Sequence, residues 1–135
     1  MKAEILIYIG AALPFFWGVA HLFPTKSIIR SFGDISSDNR NLIAMEWIIE
    51  GIALIFIGSL VSIVTAIEPK NIISTCVYLT SSSCLLVLAG VSLLTGFKIN
   101  FLPFRLCPLI FTSSAMLIHL AGKYYNGEAP NRTLL

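Results

Sequence analysis

Glu46 and Glu50 lie four residues apart at the mouth of an apolar run, residues 52–67, and His21 closes the apolar run before it. On a helix that spacing puts both carboxylates on one face, with Glu50 about 6 Å deeper than Glu46. Two carboxylates beside an imidazole can share a proton, one group charged while its neighbour is neutral. That is the chemistry of a proton relay or a general acid and base. Trp17 is one turn from His21, and Trp47 lies between the two glutamates. Glu50, His21 and Glu46 are therefore the candidate catalytic residues, and Trp17, Trp47 and Arg105 the candidate ligand contacts. A purely structural network uses the same groups: His21 bonds one glutamate, and Arg105 or Arg40 neutralises the other.

A carboxylate at membrane depth is expensive, so it marks either a function or a buried partner. Metal chemistry fits poorly. Di-metal carboxylate bundles use a Glu-x-x-His pair on each of two helices, and none occurs here; no metal is expected. His21 and His119 cannot ligate one haem within a single chain, because His119 lies about 20 Å from the membrane face that holds His21, and haem is not the expected cofactor. A hydrogen bond from Glu4 to His119, pinning the first apolar helix to the last, is expected instead. No nucleophile elbow or phosphate-binding loop is present, and no internal repeat suggests a transporter.

The elements that must position these groups follow from composition. Mean hydropathy is +0.86, and 12% of residues are charged, against roughly 25% in soluble domains. Four stretches, residues 5–25, 51–67, 71–97 and 106–122, are almost free of charge. Each is near or above the ~17–25 residues that a bilayer requires. Backbone groups in lipid must be satisfied within the segment, so these are helices. The expected fold is all-α: an integral membrane bundle of four transmembrane helices, about residues 3–23, 40–67, 71–97 and 104–124, in one domain with a flexible tail from 126 to 135. Lys2, the apolar stretch and the small residues before His21 also suggest a signal peptide, but Glu4 is unusual in such a leader, and the segment is read as helix one.

Call the face where helix one starts side A and the other side B. Pro24 stops helix one on side B. A short interfacial helix, residues 26–32, is expected between helices one and two, capped by Thr25 and ended by Gly33, with Lys26 and Arg30 reaching headgroups. Ser36, Ser37 or Asp38 then caps helix two. Residues 98–105 form a second interfacial loop. Trp17, Phe23, Trp47, Phe97, Phe101 and Phe104 gather towards side B, and Tyr8, Tyr78, Tyr124 and Tyr125 towards side A, as two aromatic belts. Side B carries Lys26, Arg30, Arg40, Lys98 and Arg105; side A carries Lys2, Lys70, Lys123 and Arg132. The positive-inside rule tips side B to the cytoplasm.

Small residues at Gly10, Gly18, Gly51, Gly58, Ala89, Gly90, Ala115 and Gly122 suit close helix packing, as do the runs Thr80-Ser81-Ser82-Ser83 and Thr112-Ser113-Ser114, which could alternatively line a cavity. Pro14 removes the bond to the Gly10 carbonyl and should kink helix one. Cys76, Cys84 and Cys107 have no CxxC spacing and read as free thiols buried in helices. Net charge is +2, too small to argue for nucleic acid. Asn131-Arg-Thr133 matches a glycosylation sequon.

Residues 10–60 resemble DoxX-type small membrane proteins. The likeness rests on Gly18-Val-Ala-His21-Leu-Phe-Pro24 closing helix one and on Glu46-Trp-Ile-Ile-Glu50-Gly51-Ile-Ala-Leu-Ile-Phe-Ile-Gly58 opening helix two. The chain departs from that family at its start, where Lys2 and Glu4 stand in place of an early arginine. The resemblance implies a four-helix bundle in the bacterial inner membrane, associated with quinone-linked or thiol-linked redox complexes. It implies a quinone headgroup or lipid beside Glu46, Glu50 and His21. Three functions stay open: a binding subunit for a quinone or lipid, with a membrane protein partner or as a homo-oligomer; a small isomerase or oxidoreductase using the Glu/His pair; and a proton-coupled carrier built as an oligomer.

Overall fold

The computed structural model describes residues 3–96 and 102–127. These form five helices: α1 (Ala3–Leu22), α2 (Thr25–Ser31), α3 (Ser37–Ile67), α4 (Ile72–Thr95) and α5 (Leu102–Gly127). Among the described residues there is no strand. α1, α3, α4 and α5 are each long and apolar enough to cross a membrane, and together they make the membrane four-helix bundle. Lys2, Phe97, Lys98, Phe101, the sequon and the tail from residue 128 lie outside the described residues.

The spans run alternately up and down. α1 is the central element, packed on α3 along one side and on α5 along the other, and α4 packs on α5. α3 and α4 meet least, so the ring of four has one loose seam. Ile7, Leu54, Val61, Leu85, Phe111 and Ile118 fill the axis. Outward positions such as Ile9, Phe16, Ile52, Phe56, Val87 and Leu120 are apolar and exposed. An apolar outer surface of this kind belongs in lipid, where only the bundle interior needs small or polar residues.

Glycine brings α1 and α3 together. A β-carbon at Gly18 would stand 2.5 Å from the Gly51 carbonyl oxygen, and one at Gly58 would stand 2.5 Å from that of Ala11. Gly10 faces α5 at Ile118, and Gly122 faces the Tyr78 ring. Gly90 differs from the expected pattern: it is exposed, with nothing within 4 Å of the β-carbon position.

Several local details differ from the expectations. α3 starts at Ser37, three residues early, because the Ser36 side chain accepts from the Asn39 amide and caps it. Thr25 does not cap α2; its hydroxyl turns back to the Leu22 carbonyl, 2.8 Å away, and satisfies the end of α1. Gly33 ends α2 with φ +72, as expected of a left-handed terminating glycine. Pro103, Phe104 and Arg105 are helical, in the first turns of α5, where proline is tolerated. The same helix runs on through Gly127, so residues 126 and 127 are not tail. Tyr78 is core, not belt: it is 2% exposed, with its hydroxyl 2.9 Å from Thr65 Oγ1. Tyr125 is also buried, under Lys70, and Glu4 sits beside Tyr125. His119 is exposed and lines a crevice with Thr75, Tyr78 and Lys123, so the expected Glu4–His119 bond is not made. All three thiols are free, but Cys76 and Cys84 are exposed and only Cys107 is buried.

In the hydroxyl runs Ser81, Ser82 and Ser114 are buried, whereas Thr80, Ser83 and Ser113 are exposed. Ser114, fully buried on α5, donates to the Gly10 carbonyl, the one that Pro14 leaves without a partner within α1. A freed carbonyl in lipid is costly unless a neighbouring helix satisfies it. Ser114→Ala should therefore lower stability by about 1 kcal/mol. Adding Pro14→Ala, which restores the amide, should recover most of that loss. A double-mutant cycle on unfolding in mixed micelles measures it; strictly additive losses would refute the link.

Candidate functional site

The side-B end of α1 holds the site. α1 and α3 are antiparallel, and the register that sets Gly18 on Gly51 also sets His21 on Glu50. His21 Nε2 lies 3.3 Å from Glu50 Oε2. The imidazole side chain is 3% exposed and the carboxylate 37%. The contact is an ion-pair distance without hydrogen-bond alignment, so Nε2 is left with no well-directed partner.

Trp47 holds His21 in two ways. Its indole N–H donates to the His21 main-chain carbonyl, one of the orphan acceptors at the end of α1. Its ring stacks on the imidazole with centroids 3.8 Å apart and planes 12° apart. Phe104 of α5 also meets Trp47, in a T-shaped contact with ring centroids 5.6 Å apart. The imidazole is thus fixed between a rigid ring and a carboxylate, with its orientation set by α3.

Two cavities open on this stack. One, of about 180 Å³, is lined by Trp17, Ala20, His21, Pro24, Trp47 and Pro103. The other, of about 290 Å³, lies at the loose seam and is lined by Glu50, residues of α4 including Ser92, Gly96 at its C-terminal cap, and Phe104 and Cys107 of α5. The imidazole therefore faces one cavity and its carboxylate the other. Trp17 Nε1 is buried beside the Cys107 thiol and has no well-directed hydrogen bond. Trp17 also borders an apolar groove of about 350 Å³ along the outside of α1, with Ile9, Ala12, Leu13, Phe16 and Ile110.

His21, Glu50, Trp17 and Trp47 are brought together. Glu46 is not: it is exposed, and among the described residues it makes no ion pair or hydrogen bond. The antiparallel register places it near Pro24, where α1 has already ended, so α1 supplies it no partner. Arg105 is exposed in the first turn of α5, and Arg40 lies in a separate cleft beside α2. Cys107 and Phe104 belong to the site and were not expected there. Their sequence signal was slight, a cysteine and an aromatic residue near the side-B end of the last span. Among the described residues no three His, Cys, Asp or Glu side chains converge as for a metal ion.

What the arrangement can do chemically is limited and specific. It presents two buried nitrogens with unmet hydrogen-bonding capacity, an aromatic floor and one carboxylate, at the rim of an apolar bundle. The fold is a membrane four-helix bundle with a mostly apolar cavity beside His21 at one end. No family model, curated protein or solved structure matches the chain.

Proposed function

We propose that this protein is a binding subunit of the bacterial inner membrane that holds the headgroup of a lipid-soluble quinone, as part of a membrane redox assembly. The observation that carries the reading is that Trp17 and His21, each with a buried ring nitrogen that lacks a well-directed hydrogen bond, both line one cavity. Buried polar groups are almost always hydrogen-bonded, and an exception needs a reason. A carbonyl oxygen entering the cavity would give both groups a partner, and Trp47 would stack on the ring that carries it.

The dimensions support an amphiphile. Ligand pockets usually measure about 300–1,000 Å³, so a 180 Å³ cavity takes one ring and not a whole cofactor. The apolar groove that shares Trp17 continues towards lipid and suits a hydrocarbon tail. Glu50 behind His21 offers a place for a proton to go when a bound carbonyl changes its charge. The resemblance of residues 10–60 to DoxX-type proteins agrees with a redox setting.

Native mass spectrometry of detergent-purified protein, with the released small molecules identified, tests the reading. A stoichiometric quinone should be released from the wild type and be largely lost from Glu50→Gln, which keeps the shape but not the charge. A bare mass for both, or an adduct that the substitution leaves unchanged, refutes it.

A further inference from the structure

A second cleft lies at side B, apart from the histidine site. It measures about 430 Å³ and is formed by Lys26, Ile29, Arg30, Gly33 and Asp34 of α2 and its turn, with Arg40 of α3. Lys26 and Arg30 are one helical turn apart on α2 and share a face. The left-handed turn at Gly33 (φ +72) reverses the chain, so that the first turn of α3 brings Arg40 to the same opening. Three cations thus border one opening, against one carboxylate. Among the described residues none of these four charged side chains is in an ion pair or a side-chain hydrogen bond. The three like charges outnumber the single carboxylate, and an anion entering the opening would relieve their mutual repulsion.

We propose that this cleft binds a phosphate group. Two guanidinium forks and an ammonium match phosphate oxygens, with Arg able to bind two oxygens at once. Ile29 gives the opening an apolar wall, and α2 lies where the bundle meets the headgroup layer. The expected source of the phosphate is therefore the headgroup of an anionic phospholipid, its glycerol and chains lying beside Ile29. Such a lipid would tie α2 to the start of α3, next to the end of α1 that holds His21.

The test uses the full chain in phosphatidylcholine bilayers that contain phosphatidylglycerol, followed by native mass spectrometry. The wild type should retain phosphatidylglycerol selectively. Each cation replaced by glutamine should weaken retention about fivefold, so the triple variant Lys26→Gln, Arg30→Gln, Arg40→Gln should lose it. Asp34→Asn removes the opposing charge and should tighten binding, which keeps the test decisive even where the triple variant fails to fold. Displacement of the lipid by inorganic phosphate supports the phosphate site and assigns it to a soluble ester; resistance to displacement assigns it to the lipid. Equal retention by wild type and a folded triple variant overturns the proposal, as does weaker binding by Asp34→Asn. Glu50→Gln should leave lipid retention unchanged, so this site and the quinone site fail or stand separately.

Discussion

Gly18→Ala should cost about 2–3 kcal/mol of stability, although alanine is the better helix former by about 1 kcal/mol. The added β-carbon meets the Gly51 carbonyl oxygen at 2.5 Å and the Ile55 amide nitrogen at 2.9 Å. Both are backbone atoms, so no side chain can rotate away, and α1 and α3 must separate. Separation then loosens Trp47 from the His21 carbonyl and opens the His21–Glu50 contact, because both depend on the same register. Gly90→Ala is the internal control: with nothing within 4 Å, it should be neutral or slightly stabilising. Reversible unfolding in bicelles measures both. A loss at Gly18 no larger than at Gly90 would mean that α1 and α3 do not pack through this glycine.

The contrast between those two glycines shows what could be read in the chain and what could not. Their type marks both as sites of close approach, yet which face of a helix meets a neighbour depends on the ring order of the spans. Apolar length alone reveals four spans, since lipid permits only closed backbone pairing. The His21–Glu50 contact was legible for a related reason. α1 and α3 are consecutive antiparallel spans joined on side B, which sets the end of α1 against the side-B half of α3, and few residues there can bond an imidazole. Glu46 shares Glu50's helical face, but periodicity does not say where the neighbouring helix stops. The orphaned Gly10 carbonyl follows from Pro14, whereas its donor, Ser114, sits on a helix far away in sequence. Tyr78 read as belt because tyrosine prefers interfaces, and its burial depends on a hydroxyl partner, Thr65, from the preceding span. The poorly partnered nitrogen of Trp17 and the basic cleft have no sequence signature. Each is a property of what surrounds a residue.

That nitrogen leads to the second large effect. Trp17→Phe should weaken quinone binding about fivefold, since one hydrogen bond to a ligand carbonyl is worth about 1 kcal/mol. His21→Leu removes the other donor, and the double variant should lose about thirtyfold. The diagnostic lies in the sign of the stability change. A structural N–H would leave its acceptor unpaired when removed, and Trp17→Phe would then destabilise the protein. The Trp17 N–H has no well-directed acceptor, with only the weakly accepting Cys107 thiol beside it, so its removal relieves a poorly satisfied buried group, a gain below the roughly 1–3 kcal/mol of a fully unmet one. The smaller ring gives some of this back in lost contacts, but Trp17 already borders two cavities and is only half-buried. The unliganded variant should therefore be as stable as the wild type or more so, while binding the ligand worse. His21→Leu has the opposite expectation for stability, because it strips Glu50 of its partner. Quenching of the remaining Trp47 fluorescence by a short-chain quinone reads affinity, and unfolding in bicelles reads stability. Should Trp17→Phe lose stability and keep its affinity, the nitrogen is part of the scaffold and the quinone pocket is not there.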